Sequence, residues 1–331
     1  MERYQLFIDG KFCDAESGET RPTVNPGNEE PIALVPVAGK GDTRKAIEAA
    51  RRSFDEGTWA GMSPKDRAAK LMKVFQILKD KEADIAELES KDGGSTIRKT
   101  TMMDAPVGIE HFRLLVELGG SLPTYEPLPW VDFPFVSWNF VNREPIGVCA
   151  GIIPWNFPFM MAVWKTAPAL IMGNSIVLKP ASDTPLTALE LAKAIAEADL
   201  PPGVFNIVTG AGSVVGPELC TNPMVDKVAL TGSTETGRNV MRMASDTVKK
   251  VTLELGGKSP TLVLEDADLD IAVDGALFGT FFHAGQVCES GTRCFVPSSI
   301  YDKFMAKMVE RIGHIKIGDP QDFETTMGPV V

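Results

Sequence analysis

The chain has 331 residues, more than one ordinary domain holds and enough for about two. With 44% hydrophobic and 23% charged residues it lies near the globular average, which excludes a disordered or fibrous chain. Its 33 basic and 44 acidic residues leave a net charge of −11, which argues against nucleic acid as a partner but not against a nucleotide cofactor held by backbone amides. The five cysteines, Cys13, Cys149, Cys220, Cys288 and Cys294, are odd in number and form no C-x-x-C pair, so neither a disulfide framework nor a structural metal site is expected. The start carries no signal-peptide pattern, and the expected setting is reducing and cytoplasmic.

In chain order, Asp42–Phe54 is predicted as a helix with Asp42 at the N-cap and Ala46, Ile47, Ala50 and Phe54 on one face. Ser63-Pro64-Lys65-Asp66 opens a second, with Ser at the N-cap and Pro at the first helical position. Its apolar face runs through Leu71, Val74, Phe75 and Leu78 towards Ile85 and Leu88. A third helix is expected from about Met103 to Leu118. The stretch from Ser121 to Pro145 then holds five prolines and six aromatics. Within it Val136, Trp138 and Phe140 alternate as a strand with one apolar face would, and the prolines mark an edge or an extended arm. A surface loop packed on its own domain and an arm packed on another subunit fit this pattern equally.

Ile146 to Trp164 is uncharged and as long as a bilayer-crossing helix, but Pro154, Asn156 and Pro158 interrupt it. The segment reads instead as a buried strand, a proline-bounded loop and a helix from near Pro158; no membrane partner is expected. From there strand-like runs (Gly147–Ile153, Ser175–Leu178, Val204–Val208, Lys227–Leu230, Lys250–Leu255) alternate with helix-like ones (Phe159–Met172, Pro185–Ala198, Val214–Cys220, Glu235–Ser245). That spacing predicts an α/β fold with a parallel, doubly wound, Rossmann-like sheet, which binds ligands beyond the carboxyl ends of its strands. A further α/β stretch follows, with a strand at Arg293–Val296 and a helix at Ser299–Ile312.

Gly210-Ala211-Gly212 misses the G-x-G-x-x-G spacing by one residue, and Gly257-Lys258-Ser259 lacks the first glycine of a P-loop. His111, His283 and His314 are scattered, which disfavours a histidine-dependent triad. Three fragments carry chemistry. Cys288 lies in a Gly-rich turn, where it is either inert core or a thiolate nucleophile assisted by backbone amides. Glu254 stands between leucines at the end of an apolar strand, where burial would raise its pKa towards that of a useful general base; a salt-bridged structural Glu fits as well. Asn156 lies in an apolar loop, free either to donate to a developing oxyanion or to cap the loop.

P-W-N-F-P, L-K-P, T-G-S-T-E-x-G, L-E-L-G-G-K-S-P and F-x-x-x-G-Q-x-C occur in this order from Pro154 to Cys288, and with them the chain resembles the NAD(P)-dependent aldehyde dehydrogenase superfamily. The resemblance runs from about Phe7 to the last residue. It implies a covalent mechanism: the Cys288 thiolate attacks an aldehyde carbonyl, and Asn156 with the Cys288 amide stabilises the oxyanion. Hydride transfer to the nicotinamide leaves a thioester, and Glu254 activates the water that releases the acid. Glu254 points to the hydrolytic rather than the CoA-acylating branch. For the cofactor, NAD or NADP, the resemblance implies Ile152, Ile153, Pro154 and Trp155 along the wall and Lys179 at the adenosine ribose. Gly210 and Gly212 fall near the adenine, Gly232 and Ser233 at the pyrophosphate, and Leu255 beside the cofactor. Phe157, Met161 and Trp164 match the substrate tunnel. Ser182 stands where many NAD-preferring relatives have glutamate, which favours use of NADP unless Ser182 merely caps the following helix.

The implied organisation is a cofactor domain over 1–254, with an oligomerisation arm at 120–145, and the first part of a catalytic domain over 255–331. The chain falls about a third short of the family's usual length and lacks its E-x-F-G-P segment, so a C-terminally truncated protein, poorly stable and inactive by itself, is the expectation. The implied partners are a small-molecule aldehyde and further copies in a homodimer or homotetramer. The rival readings are a non-catalytic chain that keeps the fold, and a thioesterase running only the acyl half of the chemistry.

Overall fold

In the computed structural model, which describes residues 1–331, the alternation after Ile146 folds as the centre of a seven-stranded sheet. Its strands in chain order are β1 (Leu6–Ile8), β2 (Lys11–Cys13), β3 (Val148–Ile152), β4 (Ser175–Lys179), β5 (Phe205–Ile207), β6 (Lys227–Gly232) and β7 (Lys250–Leu255). They lie side by side as β7-β6-β3-β4-β5-β1-β2. The first five in that order pair parallel, and the β1–β2 hairpin adds antiparallel to β5. The chain runs outward through β3, β4 and β5, then returns to set β6 on the other side of β3. This reversal opens a crevice beyond the carboxyl ends of β3 and β6.

Strand periodicity explains why the central strands are apolar throughout. Successive side chains point to opposite faces, and here both faces are covered. Val148, Ala150, Val177, Val208, Val228 and Leu230 join one buried cluster, while Cys149, Ile176, Leu178, Phe205 and Ile207 join the other. The helices are α1 (Lys40–Asp55), α2 (Pro64–Asp80), α3 (Glu82–Gly93), α4 (Ala105–Ser121), α5 (Pro158–Ile171), α6 (Leu186–Glu197), α7 (Gly212–Thr221), α8 (Thr234–Ser245), α9 (Leu269–Phe281) and α10 (Tyr301–Ile312). α1, α7 and α8 cover the first face; α2 to α6 build the second.

Four local expectations are corrected. α1 begins at Lys40 with Gly39 at the N-cap; Asp42 sits a turn further in, where its carboxylate accepts from the Gly39 and Glu16 amides at 2.9 Å each. The apolar face expected to continue from Leu71 to Leu88 is divided at Lys81 between α2 and α3. A π-turn over Thr100–Asp104 delays the next helix to Ala105. In the 121–145 stretch Tyr125–Pro127 pairs antiparallel with Phe140–Asn142, and Val136 and Trp138 lie outside that ribbon. Phe133, Phe135 and Trp138 are each more than 80% exposed.

After β7 the chain forms a parallel pair, β8 (Pro260–Leu262) with β9 (Arg293–Phe295), bridged by α9. α9 and α10 enclose a separate small core of Val263, Val273, Ala276 and Phe304. No helix is long and apolar enough to cross a membrane.

Candidate active site

β3 delivers its chain into the crevice at Ile152, and Pro158, at the first position of α5, fixes where the next helix begins. The N-cap residue Phe157 has no capping side chain. The amide of Phe159 donates instead to both carboxylate oxygens of Glu89 from α3, at 3.2 and 3.3 Å, and Thr187 Oγ1 donates to the same group at 2.5 Å. Burial, and next the charge of Asp104, push the Glu89 carboxyl up to about 7. Close by, Lys99 is buried in an ion pair with Asp104 at 2.5 Å and holds its ammonium 4.3 Å from the centre of the Phe157 ring. The loop between β3 and α5 is thus tied at its helical end from the α3–α4 side.

Asn156 projects from this loop, and its Nδ2 donates to the carbonyl of Gln286 at 2.7 Å. That bond joins the loop to the turn that carries Cys288. α9 stops at Phe281 because His283 and Ala284 adopt left-handed backbone (φ 52° and 53°), followed by Gly285 at φ 77°. Two non-glycine residues in that region are strained. His283 is held by contacts: Nδ1 lies 3.3 Å from Ser95 Oγ, and its ring lies 5.3 Å from Phe157. Burial, then the charge of Lys99, push its pKa down to about 3, so the ring is neutral.

Cys288 is half-buried in the turn that follows, and its Sγ donates to Glu289 Oε2 at 2.9 Å. Burial pushes the thiol up to about 11, aided by the hydrogen bond and charge of Glu289 and opposed by the Cys288 and Glu289 amides. Glu254 stands near the end of β7, in register with Thr231 of β6. The burial expected for it is absent: β7 is the edge strand, and Glu254 is exposed between the half-buried Leu253 and Leu255. Its negative charge acts on Lys165 of α5, whose pKa burial lowers and Glu254 draws back up. Beyond β7, Gly256 and Gly257 lead past the cysteine turn, where a Cβ on Gly257 would lie 3.5 Å from the Cys288 carbonyl oxygen. The Arg293 Nε–H then donates to the Lys258 carbonyl at 2.7 Å, tying the two segments together.

The crevice gathers the other candidates. The Ile153 amide donates to the Lys179 carbonyl at 3.1 Å. Lys179, at the end of β4, is 3% exposed and donates from Nζ to the Pro180 carbonyl at 2.7 Å. Burial, then repulsion from Arg21, lower its pKa to about 8. Ser182 Oγ donates to the Gly210 carbonyl at 3.1 Å. It does not cap α6, whose N-cap is Pro185 and receives no side-chain bond. A Cβ on Gly210 would meet the Ala38 carbonyl oxygen at 2.7 Å, whereas Gly212, opening α7, has open space. β6 ends at Gly232; Ser233 caps α8, its Oγ accepting from the Thr236 amide at 3.1 Å. Leu255 packs on α8 so closely that a Cβ on Gly237 would lie 2.7 Å from it. A buried cation with no carboxylate on its Nζ, a glycine at a close backbone approach and a helix N-terminus at the strand ends fit an anionic dinucleotide. Pro154 and Trp155 lie at the mouth of the same loop, Trp155 exposed.

The three tunnel candidates are not brought together in one cavity. Phe157 and Met161 are buried, Phe157 against Phe282 and His283. Trp164 is 41% exposed and donates from Nε1 to His111 Nδ1 at 2.9 Å. It lines a pocket of about 330 Å³ with His111, Leu114, Leu115, Leu118 and Pro168.

The model of the Aldehyde dehydrogenase family matches residues 12–331. The chain belongs to the aldehyde dehydrogenase family. It is 44% identical to a betaine aldehyde dehydrogenase of Bacillus subtilis (strain 168), covering 98% of this chain and 66% of that relative. Among solved structures, a betaine aldehyde dehydrogenase from Staphylococcus aureus in complex with NAD+ superposes with a TM-score of 0.93 at 38% identity, over 98% of this chain and 64% of that one. An apo mutant of the same S. aureus protein gives a TM-score of 0.94 at 38% identity. The chain thus spans just under two thirds of the length of these aldehyde dehydrogenases.

Several residues of this candidate site went unread in the sequence. Glu289 is adjacent to the nucleophile candidate, but an acid in a turn carries no pattern of its own. Glu89 on α3, Lys99 in the turn after it and Lys165 on α5 carry no sequence pattern of their own; only packing reveals Glu89 and Lys99 as buried and Lys165 as half-buried. His283 left one signal, a histidine inside a turn otherwise apolar or small.

Proposed function

We propose that the protein oxidises aldehydes to carboxylic acids with NAD or NADP through a covalent cysteine intermediate. The observation that carries this reading is the 2.7 Å bond from Asn156 Nδ2 to the Gln286 carbonyl, which joins an amide donor to the cysteine turn at the switch point of the sheet. The Cys288 sulfur attacks the carbonyl carbon. The second N–H of Asn156 and the Cys288 amide receive the developing oxyanion. Lys179, Ser182 and Gly210 hold the adenosine end of the dinucleotide, and the amides opening α8 face its phosphates. The bound nicotinamide supplies the two-electron acceptor that an aldehyde needs, having no other leaving group. Glu254, exposed to water, then activates the water molecule that cleaves the thioester. Exposure gives Glu254 direct access to that water. The aromatic arm, with Phe133, Phe135 and Trp138 facing outward, supports assembly into a homodimer or homotetramer.

The test is absorbance at the reduced-nicotinamide band when the protein is mixed with propanal and NAD or NADP. Growth of the band that Cys288→Ser abolishes supports the reading; growth unchanged in Cys288→Ser overturns the covalent route.

A further inference from the structure

Glu289 is the one side chain within hydrogen-bond distance of the nucleophile, and nothing in the covalent scheme above uses it. Its carboxylate has no other hydrogen-bond partner and enters no ion pair, so its charge is uncompensated at the mouth of the turn. No neighbouring cation pairs with it. The Arg293 Nε–H donates to the Lys258 carbonyl, neither the Arg293 nor the Lys258 side chain forms an ion pair with Glu289, and Glu254 lies on the edge strand, where its charge acts on Lys165. We propose that Glu289 is a charge filter on the nucleophile: its carboxylate holds the Cys288 thiol as a hydrogen-bond donor and turns away electrophiles that carry a negative charge beside the reacting carbon. The site therefore takes neutral or cationic aldehydes in preference to those bearing a carboxylate next to the carbonyl. This substrate class rests on the proposed dehydrogenase reading.

The physical case is short-range electrostatics. A carbon bonding to Sγ must come within bonding approach of an atom 2.9 Å from Oε2. A carboxylate on the neighbouring carbon then lies within a few ångströms of the exposed Glu289 carboxylate, and two like charges at that range, beside a half-buried sulfur, cost about tenfold in rate. A neutral group pays nothing of this. The same negative charge disfavours the thiolate, in line with the raised thiol pKa.

Alkylation tests the filter without any dehydrogenase turnover. Iodoacetamide is neutral and iodoacetate anionic; each loses iodide as the sulfur–carbon bond forms, with the thiol proton passing to solvent. Rates at Cys288 are read by peptide mass at pH 8, as the ratio of iodoacetate to iodoacetamide normalised to glutathione. The wild-type ratio is expected about tenfold below that of glutathione. Glu289→Gln should alkylate faster with both reagents and bring the ratio to within about twofold of glutathione, while Glu289→Asp, which keeps the charge, should retain the discrimination. Because Glu289 is exposed in a turn, both variants are expected to fold. A ratio unchanged by Glu289→Gln overturns the proposal. In parallel, kcat/KM for glyoxylate relative to propanal should rise about tenfold in Glu289→Gln. Absence of turnover with every aldehyde would say nothing against the filter, since the alkylation ratio by itself decides the role of Glu289.

Discussion

At Lys179 the proposed hold on the cofactor and the stability of the fold pull in opposite directions. It is buried at the end of β4 with a carbonyl as its partner, and its folded pKa of about 8 lies below the ordinary 10.5. Between these values the folded chain binds fewer protons than the unfolded one, so stability rises with pH across that window and the cost is full below pH 8. Lys179→Met is therefore expected to raise stability at pH 7 by on the order of 1–3 kcal/mol, with the gain shrinking towards pH 10. Denaturant midpoints at the two pH values measure it, and cofactor affinity should fall in the same variant. Ser182, three residues on, donates to the Gly210 carbonyl, so its hydroxyl stands in the crevice proposed for the cofactor. Ser182→Glu would set a carboxylate there and break that bond. The expected outcome is a selective loss of kcat/KM with NADP relative to NAD, wild-type protein using NADP at least comparably. A wild-type strongly preferring NAD, or a variant with an unchanged ratio, would assign the choice to other residues. The sequence singled out both residues, Lys179 within the L-K-P motif and Ser182 two positions beyond it. The burial of Lys179 and the partner of Ser182 were not, because they depend on strands and loops far apart in sequence.

At the scale of elements, the loop carrying Asn156 is anchored at its helical end by α3. Glu89 receives the Phe159 amide and the Thr187 hydroxyl, replacing the N-cap that α5 lacks. Glu89→Ala would leave both donors buried and unpaired, which costs about 2–4 kcal/mol, and should lower the melting temperature together with activity. Unchanged stability would show that water or a shifted side chain serves α5 equally well. The strand–helix alternation and the start of α2 at Ser63-Pro64 were readable because periodicity and caps are local; the order of the strands across the sheet was not. The break at Lys81 was not, since the apolar face continues in register on both sides of it. The Asp42 expectation failed by three positions because a carboxylate inside the first turn can reach back to the N-cap amide and do the same work. Glu254 failed on burial for a different reason: a strand flanked by leucines reads as central, and only the sheet order places it at the edge.

Across the whole molecule, apolar residues stay uncovered in several regions, two of them extended. One is the aromatic arm; the other runs over β8 and α9, where Leu262, Leu264, Ile271 and Phe278 are exposed. Surfaces of this kind associate. The 331-residue chain by itself is expected to scatter light increasingly with concentration, and Phe133→Ser with Trp138→Ser should reduce that association; a monodisperse monomer would contradict this. The central claim is that Cys288 carries the acyl group and Glu254 releases it. Its most direct measurement is the mass of the Glu254→Gln protein after mixing with NAD and propanal. The account predicts one burst of reduced nicotinamide, then a stall, with a propionyl group on the Cys288 peptide. Steady turnover without a burst, or a Cys288 peptide that never acquires the acyl mass, would contradict it.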